Sequence, residues 1–216
     1  MWALVGVVCL TSFFFWFDKL LDLITNQGNV DDRTPLLVGI CGSIGSGKTT
    51  LARLLKQEYR YDELSFAQPL KEIAKIFGFQ VETQMDKKTI HPYWNISSRH
   101  FLRQWGTELC RQHLPKIIPE MSSIWIQHME MKLNEVWNRS PQRRIVISDV
   151  RFVDEAALIS KHGGILVRVV RPDAEPNDSR HESDKPIPDE LIDYVIYNDM
   201  EPHHMINQFY SFFGGF

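Results

Sequence analysis

The sequence predicts an α/β domain: a parallel sheet with helices on both of its faces. Two observations carry that expectation. Short apolar runs of strand length alternate with segments whose apolar residues recur at helical spacing. In the first such pair, a glycine-rich turn joins strand directly to helix. The chain has 216 residues, of which 44% are hydrophobic and 24% charged. That is enough apolar material for a buried core and is not the composition of a disordered chain. The net charge of -3 argues against a broad electrostatic grip on nucleic acid, so a bound anion must be met by a local cluster of cations. Cys9, Cys41 and Cys110 are too few and too scattered for a disulfide framework or a zinc site, which suits a reducing compartment.

Residues 1–17 (MWALVGVVCLTSFFFWF) carry no charge. As a helix they would reach ~25 Å, slightly short of a ~30 Å hydrocarbon core. They lack the basic start of a secretory signal and the arginines of a transit peptide. A membrane anchor, an apolar helix on the domain or on a partner, and an upstream extension compete here. The anchor is preferred, because so continuous an aromatic-rich run is hard to bury on a small domain. The N-x-S triplets at Asn95, Asn138 and Asn177 would matter only in a secretory lumen and are read as chance. Residues 18–35 end in a polar stretch with Gly28, Asp31, Asp32 and Pro35 and read as a linker. The folded domain is expected over 36–216.

Residues 36–41 (LLVGIC) form an apolar run suited to a buried parallel strand. It leads into Gly42-Ser43-Ile44-Gly45-Ser46-Gly47-Lys48-Thr49, which satisfies G-x-x-x-x-G-K-[ST]. Leu51, Leu54 and Leu55 then share one helical face. Strand before and helix after is the context that confirms a phosphate loop. Its glycines permit backbone conformations closed to other residues, so that successive N–H groups converge on one anion at a helix N-terminus. Gly42, Ser43, Gly45, Ser46, Gly47, Lys48, Thr49 and Thr50 are the candidate nucleotide-binding set. Lys48 can reach the β- and γ-phosphates, and the Thr49 hydroxyl can ligate Mg²⁺. The expected cofactors are therefore ATP and Mg²⁺, and the fold is a P-loop three-layer sandwich. Neither N-K-x-D nor T-K-x-D is present, which speaks against a GTPase. About 180 residues after the linker suit a small-molecule kinase better than a motor.

The remaining elements follow in order. Residues 61–67 are expected to form a second strand. Residues 69–77 (PLKEIAKIF) are expected to form a helix capped by Gly78, and 79–97 a mixed, polar and mobile region. Helices are expected over 99–113 and 121–137, the latter with Ile126, Met129, Leu133 and Val136 at helical spacing. Residues 145–148 form a strand, 152–161 a helix, 165–170 a strand, 194–197 a last strand and 201–213 a last helix.

In such sheets ligands bind at the carboxyl ends of the strands. That rule puts Asp149 and Arg151, which directly follow the strand at 145–148, beside the phosphate loop. Asp149 can hold Mg²⁺ through water, or a substrate hydroxyl, and Arg151 can neutralise a phosphate bidentately. The plainer alternative makes Asp149 a cap of the next helix and Arg151 a solvated charge. Arg99, Arg103 and Arg111 lie in one helical segment, with Arg99 and Arg103 on one face, and form a positive patch fit for a monophosphate. A solvated helix face is the alternative. Arg168, Arg171 and Arg180 precede or occupy a proline-punctuated stretch (171–188) that fits a lid closing over a transferring phosphate. An ordinary surface loop is the plain reading. The histidines show no metal-ligand pattern.

Six segments in one order, GICGSIGSGKTTLA (39–52), FAQPLKEIAKIFGF (66–79), RHFLRQWGTELCR (99–111), ISDVRFVDEA (147–156), GGILVRVVRP (163–172) and RHESD (180–184), resemble the deoxynucleoside monophosphate kinases of phages and large DNA viruses. The resemblance covers most of residues 36–200 and rests on the combination of GTE, DVRF…E and H-x-S more than on the phosphate loop. It implies a nucleoside-monophosphate-kinase-like domain with a lid. Asp149, Arg151 and Glu155 would be active-site residues, joined in catalysis by Lys48 and by Arg171 and Arg180 of the lid. Lys71, Arg99, Arg103, Gly106, Thr107, Arg111 and Arg151 would line the acceptor nucleotide. The reaction so implied is Mg·ATP-dependent phosphorylation of a deoxynucleoside monophosphate to the diphosphate. A dephospho-CoA or phosphomevalonate type of kinase, and a membrane-tethered nucleotide-binding scaffold without turnover, are the competing readings. The partners expected are small nucleotides and no nucleic acid, with a membrane contact through residues 1–17 and a homodimer left open. The catalytic domain is expected in the cytoplasm.

Overall fold

A computed structural model of the chain describes residues 34–172 and 186–214. The anticipated anchor over 1–17, most of the linker and most of the lid, with Arg180, lie outside the described residues. Five strands form one sheet: β1 (Leu37–Cys41), β2 (Asp62–Leu64), β3 (Ile145–Ile147), β4 (Ile165–Val170) and β5 (Tyr194–Tyr197). Their order is β2-β3-β1-β4-β5, and every pairing is parallel.

Alternation along the strands sorts the two faces. Val38, Ile40, Val146, Val167, Val169 and Ile196 point to one side and pack on helix α1 (Lys48–Tyr59) and helix α8 (Pro202–Ser211) through Leu51, Leu55, Met205, Ile206 and Phe209. Leu37, Cys41, Ile145, Ile147 and Leu166 point to the other and pack on α6 (Ile124–Arg139) and α7 (Val153–Lys161) through Met129, Leu133, Ala156 and Ile159. Every residue of β1 and β3 is buried, as a sheet covered on both faces requires. Each fully buried aliphatic side chain contributes about 1.5–3 kcal/mol relative to exposure. Gly39 lets α7 settle closely, since a Cβ there would lie 2.9 Å from Ile159 Cγ1.

Strand order places the site. β1 and β3 are neighbours, with Leu37 opposite Ile145 and Gly39 opposite Ile147. The chain leaves β1 toward the α1 face and leaves β3 toward the α7 face. Their outgoing loops therefore part at a topological switch point, where open α/β sheets form a crevice.

The smaller elements sit beside that crevice. They are α2 (Gln68–Ile76), α3 (Gln84–Lys88), α4 (Ser98–Arg103) and α5 (Leu114–Ile117). Ala74, Phe79, Val81 and Phe101 give this side a core of its own. The structure sharpens three expectations. The second strand spans only Asp62–Leu64, because the N–H groups of Phe66 and Ala67 bond Asp149 instead of a neighbouring strand. The anticipated helix over 99–113 is helical throughout, α-helical to Arg103 and π-helical over Gln104–His113. Within it, Gly106 O accepts from Trp125 Nε1 at 2.9 Å, and the absence of a Cβ leaves room for Leu70. Residues 79–97 hold a capped helix, α3, and an antiparallel bridge between Ile90 and Ser97. No helix among the described residues is long and apolar enough to cross a membrane.

Candidate active site

The loop after β1 has the backbone its sequence demands. Gly42, Gly45 and Gly47 all take positive φ, 136°, 80° and 107°. A Cβ at Gly42 would lie 2.3 Å from Val169 O, and one at Gly47 2.5 Å from Asn198 Nδ2, so at both positions conformation and space require glycine. Lys48 opens α1 and turns its ammonium back to Gly42 O (2.7 Å) and Ser43 O (2.6 Å). Burial, with Arg151 nearby, lowers its pKa to about 8, against the opposing pull of Cys41 and Asp149. Ser46 is fully buried and its hydroxyl has no hydrogen-bond partner among the described residues. Thr49 is exposed, and Thr50 and Ser43 are half-buried.

Asn198, at the end of β5, supports this loop and was not singled out from the sequence. Its Nδ2 donates to Ser46 O (2.9 Å), and its own N–H bonds Val170 O (2.8 Å). Only the closeness of the loop to the far side of the sheet identifies it.

The loop after β3 carries the expected Asp149 and Arg151. Asp149 Oδ1 accepts from Phe66 N (2.8 Å), and Oδ2 from Ser65 Oγ (2.7 Å) and Ala67 N (2.9 Å). Asp149 thus fastens the turn before α2 to the end of β3. It does not cap the helix that follows it. Glu155 does that, accepting Arg151 N (2.7 Å) and Phe152 N (3.2 Å) on Oε2. Glu155 is 3% exposed. Burial pushes its carboxyl up, while Arg111 and the two N–H groups pull the other way. The Arg151 side chain is exposed and has no hydrogen bond or ion pair among the described residues.

Arg111 lines the smaller cavity of the cleft and is at the same time ion-paired. Its guanidinium bonds Asp154 (2.6 Å) and Glu155 and lies 3.9 Å from the centroid of the Phe152 ring. Its charge is spent on the start of α7. Arg168 lies on β4, ahead of the lid stretch as expected, and binds Asp189 and Ile187 O.

Two cavities meet between these loops. The larger, ≈ 1010 Å³, runs from Gly45, Gly47, Lys48, Thr49 and Thr50 to Asp149, Arg151, Arg171 and Asn198. The smaller, ≈ 150 Å³, is walled by Phe66, Leu70, Leu102, Trp125 and Phe152 and holds Arg99, Arg103, Gly106, Thr107, Arg111 and Glu155. Lys71, Asp149 and Arg151 line both. So do Gln84 and Lys87 of α3, which no sequence motif marked. Arg99 donates to Gln84 Oε1 (2.8 Å). The residues present fit a hard cation that takes most of its ligands from phosphate and water. Thr49 offers a hydroxyl, and Asp149 Oδ1 keeps an acceptor site beyond its single hydrogen bond. Among the described residues no group of three or more His, Cys, Asp or Glu side chains could cage a metal by itself.

A parallel α/β sheet with a phosphate loop at its switch point and a second cation-lined cavity beside it has the fold of the P-loop kinases. A family model for deoxynucleotide monophosphate kinase matches residues 73–209. A protein of Acanthamoeba polyphaga mimivirus, named "Putative deoxynucleotide monophosphate kinase", is 34% identical over 184 residues, covering 82% of this chain and 93% of its own length. The chain belongs to the deoxynucleotide monophosphate kinase family, a family of phosphotransferases. Among solved structures, a dephospho-CoA kinase from Campylobacter jejuni is similar at 14% identity and a TM-score of 0.44, covering 82% of this chain and 94% of its own. A sugar kinase from a Janibacter species is similar at 14% identity and a TM-score of 0.43, with the same coverage.

Proposed function

We propose that this chain transfers the γ-phosphoryl group of ATP to a deoxynucleoside monophosphate, giving ADP and the deoxynucleoside diphosphate. One observation carries the reading: a phosphate loop and a second, cation-lined cavity share a wall that holds Lys71, Asp149 and Arg151. Two polyanions can then meet end to end with cations at the junction, which is what phosphoryl transfer needs. The transition state is loose, so positioning and charge neutralisation supply most of the catalysis.

In this proposal Gly42 to Thr50 cradle the β- and γ-phosphates of ATP, with Lys48 exchanging its two carbonyl partners for phosphate oxygens. Mg²⁺, when bound, neutralises those oxygens, and Thr49 and, through water, Asp149 would hold it. Arg151, with Lys71, Arg99 and Arg103, receives the acceptor phosphate, and Gly106 and Thr107 line the nucleoside side. Arg171, with Arg180 beyond the described residues, closes over the transferring group. Glu155 and Arg111 position Arg151 by fixing the turn that carries it. Residues 36–216 act as the kinase domain in the cytoplasm, with 18–35 as linker and 1–17 as its membrane contact.

The test is ADP release measured against dAMP, dGMP, dCMP and dTMP, with dephospho-CoA and phosphomevalonate alongside. Turnover of at least one deoxynucleotide, and of neither alternative acceptor, is expected. Phosphorylation of dephospho-CoA or phosphomevalonate without deoxynucleotide turnover overturns the proposal. Removal of residues 1–17 should release the chain from the membrane fraction without changing turnover.

A further inference from the structure

Lys87 belongs to none of the motifs above, and among the described residues no ion pair or side-chain hydrogen bond engages it. It sits on the five-residue helix α3, too short to persist on its own propensity. Two devices hold that helix. Thr83 and Asp86 close a reciprocal cap, Asp86 N to Thr83 Oγ1 at 3.0 Å and Thr83 N to Asp86 Oδ2 at 2.8 Å. Arg99 ties it to α4 through Gln84. The half-buried Lys87 side chain is thereby presented to both cavities.

The charges around it do not balance locally. Burial first, then Lys71, Arg151 and Arg99, depress the Lys87 pKa, against a weaker opposing pull from Glu82. The nearby carboxylates are engaged elsewhere. Glu82 pairs with Lys75 (2.5 Å), Asp86 serves its cap, and Asp149 binds residues 65–67. Among the described residues no ion pair or side-chain hydrogen bond neutralises Lys71, Lys87 or Arg151. Arg99 Nε is buried without an acceptor. Crowding cations and orphaning a donor costs stability unless an anion completes the set.

We infer that Lys87 is a substrate-binding residue that, with Arg99 set by Gln84, grips the dianionic phosphate of the acceptor where the two cavities join. This rests on the kinase reading and extends it to an element that no motif marks. It adds α3 to the elements that distinguish a nucleoside monophosphate from an uncharged nucleoside.

The experiment compares the full-length wild type with Lys87→Gln, Lys87→Arg and, as a control, the exposed neighbour Lys88→Gln. At saturating ATP, Lys87→Gln should raise the KM for the deoxynucleotide at least tenfold and leave the KM for ATP within twofold. Lys87→Arg should recover most of the loss, and Lys88→Gln should match wild type. An unchanged acceptor KM in a folded, active Lys87→Gln protein overturns the inference. If wild type turns over none of the four deoxynucleotides, the kinase reading fails separately. Inorganic phosphate then decides the matter, with the phosphate loop filled by a non-hydrolysable ATP analogue. Phosphate should raise the melting temperature of wild type but not of Lys87→Gln, and an equal rise in both would refute the site.

Discussion

Glu155 and Arg111 form a buried pair that joins two parts of the molecule far apart in sequence: the guanidinium binds one carboxylate oxygen while the other caps the start of α7 through Arg151 N and Phe152 N. The pair fixes the turn from which the Arg151 side chain enters the cleft. Glu155→Gln leaves one acceptor oxygen and turns an amide toward groups that are themselves donors. A loss of about 2–4 kcal/mol of stability follows from an imperfectly satisfied buried site. Urea unfolding should show it, and kcat should fall further than the folded fraction does, because Arg151 loses its position.

Lys48→Ala removes the ammonium best placed to meet transferring phosphate. A fall in kcat of about 10²–10³-fold is expected, the usual cost of one preorganised charge-stabilising donor. Its ammonium pays a desolvation penalty in the free protein, so the melting temperature should hold or rise slightly. Undiminished turnover would defeat the role assigned to it.

The same residue sets a pH dependence. Burial and Arg151 depress the Lys48 ammonium to about 8, and bound phosphate favours its protonated form. ATP binding should therefore take up protons near pH 8, and affinity should fall as pH rises through that value. Calorimetry in two buffers of different ionisation enthalpy should detect the uptake in wild type and not in Lys48→Ala. For folding, the sign is set by the depressed native pKa: the unfolded state binds more protons between about 8 and the ordinary 10.5, so this group's contribution to stability rises with pH across that interval.

Asn198 holds the phosphate loop from the far side of the sheet. Asn198→Ala leaves Ser46 O without its donor and should weaken ATP binding about tenfold, near 1.4 kcal/mol, with the acceptor KM unchanged. Gly47→Ala should be worse, because a φ of 107° and a Cβ 2.5 Å from Asn198 Nδ2 both oppose it. A stability loss of about 1–3 kcal/mol and loss of nucleotide binding are expected, readable by thermal unfolding with and without ATP.

Much of this was legible in the chain itself. β1, α1, β4 and β5 stand where apolar period and punctuation put them, because each signal is local. The glycine pattern at 42–47 dictated three positive φ values before any tertiary contact was known. The second strand is shorter than the expected 61–67, because its end depends on Asp149, more than eighty positions away. That 104–113 is helical is legible from its spacing, but its π-form is not, because Trp125 and Leu70, which pack on it, come from other elements.

Sequence alone determined the strand–loop–helix proposed to bind phosphate and the alternation that makes two covered sheet faces, since both follow from steric limits and burial period over a few residues. Tertiary structure decided which charges are free to act. Arg111, like Arg151, lines the cleft, but Arg111 also pairs with Asp154 and Glu155, whereas no ion pair among the described residues engages Arg151. Lys87, unremarkable in the chain, lines the cleft without an ion pair or side-chain hydrogen bond among the described residues. Whether a cation binds substrate or holds the fold depends on which acceptors the chain brings within reach, and that is settled only when distant segments close around it.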